Sequence, residues 1–289
     1  MTEKESLKRT KRARNKTPKK MVNTKKSSHK RGWELCFKVL LLLLWVASSI
    51  IVSQLIVGYL MLWILGREIF VQTLPMAIYS VLSYVLALVW ILFATPILAE
   101  RIRPKIKHSN KEIILFADGT VSREELGLKG MPTWTDIGLA PVGFIISTLL
   151  ASGLFFVFNT FSWFDAGQTQ ELGFNAYLVG FDRVVAFVVL VIAAPIAEEV
   201  IFRGWLYGKL RSMISEIVSD IASMLISIFL VSLLFGVIHM QWNVGVNVFA
   251  LSVVLCGLRE ITGTIYAGIL THMIKNGLAF YLLYVMGMF

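Results

Sequence analysis

Seven long apolar segments run through the chain, and charged residues rarely interrupt them. A helix needs about 20 apolar residues to cross the hydrocarbon core of a bilayer, and it satisfies its backbone hydrogen bonds internally. A membrane β-barrel would instead alternate apolar and polar residues in shorter segments. The segments are 35–65, 73–98, 134–158, 181–202, 221–240, 244–258 and 263–286. The sequence therefore predicts an all-α integral membrane protein, a polytopic helical bundle of about seven transmembrane helices.

Basic residues are concentrated at the N-terminus, where residues 1–34 hold 13 of the 28 lysines and arginines. This segment has almost no apolar content, so it is predicted to be a disordered tail. Each basic residue near an anionic membrane surface is attracted by about 1 kcal/mol. We therefore expect the tail to bind anionic lipid, and we expect no nucleic-acid partner.

The loops differ in charge, and this difference predicts the orientation of the chain. Segment 99–133 carries seven lysines and arginines, whereas loop 159–180 carries none. Lysine and arginine favour the cytoplasmic side of short loops. The N-terminus and segment 99–133 are therefore predicted to be cytoplasmic, in a multi-pass protein of the plasma membrane.

The same patterns divide the chain into four parts. These are a basic disordered cytoplasmic tail at 1–34, a transmembrane hairpin at 35–98, a cytoplasmic linker at 99–133 and a helical unit at 134–289. Within the linker, the run 113–119 suggests a small strand and turn.

Two adjacent acids and an arginine lie at the end of the fourth apolar segment. A charged side chain at bilayer depth costs at least about 2.5–3.5 kcal/mol, so it is retained mainly where it is paired or functional. Glu199 and Arg203 are four residues apart in the favourable order for an ion pair on one helix face. Glu198 points about 100° away and is a candidate base for activating water. The alternative is a buried packing cluster of all three residues.

Two histidines and an asparagine follow in the next apolar segments. His239 ends one segment, and His272 and Asn276 share one face of the last segment, four residues apart. A histidine at a helix end is commonly an interfacial residue, and a His/Asn pair can also join helices by hydrogen bonds. A catalytic role is the other interpretation of these three residues.

The heights of these residues favour a common site. If 181–214 and 219–240 form a helical hairpin, Glu198 and His239 lie roughly 24 and 32 Å from the turn, at 1.5 Å per residue. The remaining segments bring His272 to within about 10 Å of that level. Three segments can therefore converge on one pocket.

Three motifs in this order resemble the CAAX protease and bacteriocin-processing family, also called the Abi family. The motifs are Glu-Glu-x-x-x-Arg at 198–203, Phe-x-x-x-His at 235–239 and His-x-x-x-Asn at 272–276. Members of this family are intramembrane endopeptidases and include the type II CAAX prenyl proteases. The resemblance covers about 180–280, and segment 124–128 looks like the one that precedes the domain in many bacterial members.

The resemblance implies a role for each residue. Glu198 corresponds to the glutamate that activates water, aided by His239. His272 and Asn276 correspond to the groups that stabilise the oxyanion, while Glu199 and Arg203 correspond to the structural pair. Zinc held by Glu198, His239 and His272 is the alternative mechanism, since three ligands with an open fourth position would suit catalysis. The favoured mechanism uses no cofactor and no metal.

The predicted function follows from that resemblance. We expect an endopeptidase that cleaves a membrane-associated peptide or protein, in the manner of the bacterial branch of the family. Peptide maturation and bacteriocin self-immunity are the processes that this branch implies. The alternative is a catalytically silent membrane scaffold that binds or regulates envelope proteins.

Overall fold

The computed structural model describes residues 17–67, 72–97, 121–167, 174 and 178–287, with side chains from Gly32 onward. Contacts divide the chain into two units, Met1–Leu41 and Leu42–Phe289, and the second unit contains every helix except the beginning of the first. The helices are α1 (Thr17–Leu65), α2 (Thr73–Ile97), α3 (Trp134–Phe158), α4 (Gly180–Ser215), α5 (Asp220–Val237), α6 (Trp242–Thr262) and α7 (Tyr266–Phe280), which continues as a π-helical turn at Tyr281–Val285.

Among the described residues, six helices are long and apolar enough to cross a membrane. They are α2 to α6 together with residues Gly32–Leu65 of α1. The described residues contain no strand. The predicted all-α fold of a multi-pass membrane protein is therefore confirmed.

The last two predicted segments differ from the observed helices. The apolar segment 244–258 is 15 residues long in the sequence, but α6 is 21 residues long and is one of the six membrane-length helices. It continues past the apolar run because Arg259 and Glu260 remain helical, and it ends where Gly263 adopts a left-handed conformation (φ 70°). Segment 263–286 is helical as α7 but is not one of the six. Within the part of the chain that the structure describes, the number of such helices is thus six, where the sequence predicts about seven.

Only part of the N-terminal segment lies within the described residues, so its predictions can be compared with the structure only there. Helix α1 begins at Thr17, so residues 17–34 are helical where the sequence predicted disorder. Lysine and arginine are good helix formers, and a helix that has nucleated in an apolar segment extends readily. Residues 1–16 of the predicted tail and the strand and turn predicted at 113–119 lie outside the described residues.

Helices α1 and α2 form the predicted hairpin. Val57 and Met61 of α1 pack against Tyr79 and Leu86 of α2. Further along, the indole N–H of Trp45 donates a hydrogen bond to the Thr95 hydroxyl at 3.0 Å. Residues early in α1 thus meet residues late in α2, so the two helices are antiparallel.

Helices α4 and α5 form the second predicted hairpin, joined by residues 216–219. Ser219 caps α5 by accepting a hydrogen bond from the backbone N–H of Ala222. Caps of this kind favour the start of a helix at that residue. The turn therefore lies close to the point from which the heights of Glu198 and His239 along their helices are measured above.

Helix α7 packs antiparallel to α4. Near its start, Ile265 and Ile269 contact Val200 of α4, and near its end Phe280 contacts Ala186. Helix α2 lies on the same part of α4, where Leu88 and Leu92 join the Val200 cluster. The central helix α4 is thus covered by α7 and α2 along the residues that hold the acidic motif.

The segment before α3 folds against the ends of α6 and α7. The backbone carbonyl of Gly127 accepts from the N–H of Ile265 at 3.0 Å, and the carbonyl of Gly130 accepts from the Tyr266 hydroxyl at 2.8 Å. A Cβ on Gly204 would lie 3.0 Å from the carbonyl of Leu126, so glycine permits this close approach to α4. The segment therefore fixes the relative positions of α4, α6 and α7.

Two glycines allow α5 and α6 to approach closely just before His239. A Cβ built on Gly236 would lie 2.8 Å from the carbonyl oxygen of Gly245, and one on Gly245 would lie 3.0 Å from that of Gly236. Small residues at such contacts let membrane helices pack backbone to backbone. This close contact between α5 and α6 fixes the backbone at Gly236, three residues before His239.

The first prediction tests this crossing. Gly245→Ala is expected to lower the free energy of unfolding by roughly 1–3 kcal/mol, because the new methyl group would press on a backbone carbonyl. Gly257→Ala is the matched control in the same helix, since nothing lies within 4 Å of its Cβ position. The control is expected to be neutral or slightly stabilising. Unfolding midpoints in detergent would measure both, and equal midpoints would contradict the close crossing.

Candidate active site

The acidic motif lies on a short α-helical piece between two π-helical segments of α4. The π segments are Val188–Ala193 and Val200–Leu206, and Ala194–Glu199 lies between them. A π segment adds a residue to a turn and so changes which side chains share a face, and such segments are frequent at functional sites. The local geometry of α4 therefore departs from a regular helix on both sides of Glu198 and Glu199.

Glu199 and Arg203 form a fully buried ion pair. Arg203 Nη1 lies 2.8 Å from Glu199 Oε1, and both side chains are 0% exposed. The Arg203 guanidinium also lies over the Phe235 ring, 4.4 Å from its centroid. Gly268 of α7 makes room for the acid, since a Cβ there would lie 3.1 Å from Glu199 Oε2. The predicted pairing of these two residues is thus present in the structure.

His272 lies between the two glutamates. Its Nδ1 is 3.1 Å from Glu199 Oε1, and its Nε2 is 3.7 Å from Glu198 Oε2. A carboxylate oxygen accepts hydrogen bonds, so Nδ1 carries the proton in the contact with Glu199. The Nε2 atom therefore faces Glu198.

Glu198 differs from Glu199 in exposure and in partners. Its side chain is 15% exposed, whereas that of Glu199 is fully buried. The Tyr84 hydroxyl donates a hydrogen bond to Glu198 Oε1 at 2.5 Å, and Oε2 is the oxygen that faces His272. Glu198 is the acid left outside the arginine pair, as the sequence predicted. Tyr84 was missed, because an aromatic residue in an apolar helix gives no signal of a partner 114 residues away.

His239 lies in the turn between α5 and α6, and its tautomer follows from its contacts. Its Nδ1 is 2.7 Å from the backbone carbonyl of Phe235, which only accepts, so Nδ1 carries the proton and neutral Nε2 holds a lone pair. The Phe235 ring packs edge-on against both His239 and His272. Burial lowers the pKa of His239, and the charge of Glu198 opposes this shift. His239 and His272 therefore contact the same ring.

Asn276 is one turn further along α7 and has a different contact. Its Nδ2 donates to the backbone carbonyl of Leu190 at 2.9 Å. In this π-helical part of α4 the N–H of Ala194 bonds five residues back, to Val189. In the same pattern, the carbonyl of Leu190 would accept from the N–H of residue 195, but residue 195 is a proline and has no N–H. Asn276 thus satisfies a carbonyl that the helix itself leaves without a donor.

The structure brings Glu198, His239 and His272 together, and it places Asn276 roughly 6 Å along the helix axis from His272. Within the described residues, no three histidine, cysteine, aspartate or glutamate side chains are grouped as a metal site.

Residues 179–278 match the family model described as type II CAAX prenyl endopeptidase Rce1-like. The match covers 100 of the 289 residues, and over this Rce1-like segment the chain is similar to that family. A match to this family indicates an intramembrane protease of the CAAX type. No curated protein matches the chain, and no solved structure does.

The Rce1-like segment contains the acidic motif, His239 and His272–Asn276, but it excludes α1, α2 and α3. Tyr84, which contacts Glu198, therefore comes from outside the matched segment. The site in this protein is built from the Rce1-like helices and one residue of the N-terminal hairpin.

The second prediction concerns the buried pair. Glu199→Gln and Arg203→Met are each expected to lower stability by roughly 3–5 kcal/mol, because each leaves its partner charged and buried. Asp220→Asn is the control, since Asp220 also pairs with an arginine, Arg211, but is 84% exposed. That variant is expected to cost less than about 1 kcal/mol. Folded yield and unfolding midpoints in detergent measure these effects.

The double variant Glu199→Gln/Arg203→Met sharpens this test. It removes both charges at once, so it is expected to be more stable than either single variant. A double variant as unstable as the sum of the singles would show that the residues act through packing alone.

Proposed function

We propose that the protein is an intramembrane endopeptidase in which Glu198 activates a water molecule for attack on a peptide carbonyl. The observation that carries this proposal is the division between the two glutamates. Arg203 neutralises Glu199, whereas Glu198 stays outside that pair and is partly exposed. A carboxylate outside the arginine pair, next to two histidines, has the properties of a general base.

The contacts of the site support a role for each histidine. His272 donates from Nδ1 to Glu199 Oε1, and its Nε2 faces Glu198, so we propose that the imidazolium form of His272 acts in the reaction. In that form Nε2 carries a proton and can donate to an oxyanion near Glu198. His239 is held in its neutral form by burial and offers a lone pair at Nε2. His239 can therefore assist Glu198 in taking the proton from water.

The proposed reaction balances with these groups. Glu198 takes one proton from water, and the resulting hydroxide adds to the peptide carbonyl carbon. The carbonyl oxygen becomes an oxyanion that accepts from His272 Nε2–H and from the second N–H of Asn276, whose first N–H is on Leu190. When the C–N bond breaks, the proton on Glu198 passes to the leaving nitrogen. A base of this kind contributes about 10²–10⁴-fold to the rate.

The substrate that fits this site is a peptide or protein segment within or beside the membrane. Peptide maturation and bacteriocin self-immunity are the two processes that we propose for it, in the plasma membrane with the N-terminus in the cytoplasm. The basic N-terminal segment would bind anionic lipid at that face.

The third prediction is that Glu198→Gln abolishes cleavage while folding is retained. Membranes from cells with the intact protein and with the variant would be compared for peptides that end within or next to a membrane span. Glu216→Gln is the control, because Glu216 is exposed at the end of α4, outside the site. We expect fragments with the intact protein and the control, and at least about a 10²-fold loss with Glu198→Gln.

Identical fragments from all three membranes would contradict the proposal. If Glu198→Gln also complemented every phenotype of a deletion, the catalytically silent scaffold would be the better description. The fragments themselves identify the substrate and so distinguish maturation of a peptide from removal of a toxic one.

The fourth prediction concerns metal. We propose that cleavage needs no metal, so dialysis against a chelator of zinc is expected to leave the cleavage rate unchanged. Loss of activity that zinc restores would instead support the zinc mechanism with Glu198, His239 and His272 as ligands.

A further inference from the structure

A residue outside the Rce1-like segment contacts the proposed catalytic base. Tyr84 lies in α2, and its hydroxyl donates to Glu198 Oε1 at 2.5 Å. Hydrogen bonds from a hydroxyl to a carboxylate are short, about 2.5–2.7 Å, and roughly twice as strong as those between neutral groups. The contact therefore joins the N-terminal hairpin to the site by a strong bond.

We propose that Tyr84 is a positioning residue for Glu198 and that the N-terminal hairpin supplies part of the active site. The inference rests on the proposed function, in which Glu198 is the base. A glutamate side chain rotates about its terminal bond, so either oxygen could face the substrate. With Oε1 held by Tyr84, Oε2 is the oxygen that faces His272 and takes the proton from water.

The packing of α2 holds Tyr84 in place. Leu88 and Leu92, one and two turns after Tyr84, contact the cluster of Val200, Ile265 and Ile269 on α4 and α7. These contacts lie on the same side of α2 as the tyrosine and just beyond Glu198 on α4. The hydroxyl is thus positioned by apolar packing between α2 and the Rce1-like helices.

Tyr84 also borders a pocket between α1 and α2. Its polar lining includes Gln54 of α1 and Tyr79, Ser80 and Ser83 of α2. Tyr79 is a second tyrosine of the same helix and the same pocket, whose ring packs with Val57 and Met61. It therefore offers a matched control that differs from Tyr84 in its distance from the acid.

Several titratable or charged groups besides Tyr84 lie near Glu198. Helix α7 contributes His272 and Lys275, the turn between α5 and α6 contributes His239, and α4 itself contributes the Glu199–Arg203 pair. None of these is altered when the Tyr84 hydroxyl is removed. A change in the pH dependence of that variant therefore reports the tyrosine contact.

The fifth prediction compares Tyr84→Phe with Tyr79→Phe. The phenol donates a stronger hydrogen bond to the ionised form of Glu198 than to its protonated form, so its loss makes protonation of the acid easier. Tyr84→Phe is expected to reduce kcat by roughly 10- to 100-fold, with little change in KM, and to move the acid limb of the pH–rate profile to higher pH. Tyr79→Phe is expected to leave both unchanged. Unfolding midpoints in detergent show whether each variant is folded.

Incorporation of 3-fluorotyrosine at position 84 gives a change in the opposite direction. This residue keeps the ring and the hydroxyl but is a stronger hydrogen-bond donor, so the acid limb is expected to move to lower pH. It also keeps the inference testable if Tyr84→Phe does not fold. An unchanged pH–rate profile with both replacements would overturn the positioning role, while activity of the intact protein would leave the proposed function standing.

An infrared measurement separates this inference from the proposed function. The carboxyl band of Glu198 is obtained by subtracting the spectrum of Glu198→Gln, and its pH titration needs no catalysis. A titration moved to higher pH in Tyr84→Phe and unmoved in Tyr79→Phe supports the contact even if the protein cleaves nothing. An identical titration in the intact protein and Tyr84→Phe would overturn it.

Discussion

The ion pair of Glu199 and Arg203 is buried inside a membrane-length helix, and the positions of the other site residues depend on it. Removing two charges from water costs several kcal/mol each, and this is offset only when the pair has good geometry and further hydrogen bonds. Here Glu199 Oε1 accepts from both Arg203 and His272, and Phe235 covers the guanidinium. The pair thereby orients the two side chains that also border Glu198.

A consequence of this arrangement is that two neighbouring acids have different surroundings, since only Glu199 pairs with an arginine. Because the arginine is committed to Glu199, the adjacent Glu198 is governed by His272, His239 and Tyr84. The neighbours on α7 and α4 are small where the acids need room, as at Gly268. The proposed division between a structural and a reactive glutamate thus follows from side-chain direction on α4, not from a difference in residue type.

The π-helical segments of α4 explain the position of Asn276. In a regular α-helix, every carbonyl near Leu190 would accept from a backbone N–H, except the one that would pair with the missing N–H of the proline. With the π register, the missing N–H of Pro195 exposes the carbonyl of Leu190, and the Asn276 amide donates to it. The asparagine thus joins α7 to α4 beside the site and still has a second N–H. A structural and a chemical role for Asn276 are therefore compatible.

Local patterns in the sequence predicted most helices and the pairing of Glu199 with Arg203, because both depend on spacing along one helix. The hairpin of α4 and α5 and the meeting of Glu198 with His272 followed from helix lengths. The full length of α6 did not follow from the sequence pattern, because the helix continues through charged residues up to Gly263. The contacts of Tyr84 with Glu198 and of Asn276 with Leu190 span 114 and 86 residues. Such contacts depend on how helices pack, and hydropathy carries no information about that.

The packing of α2 against α4 has a further implication for how the site is assembled. The Rce1-like segment contains both glutamates, both histidines and Asn276, yet one oxygen of Glu198 is held from α2. Helix α2 in turn is held by apolar contacts to Val200 and Ile265, which flank the acidic motif in space. The packing of α2 against α4 therefore also sets the orientation of Glu198. In a membrane protease built in this way, the base on α4 would be oriented only when the hairpin has docked.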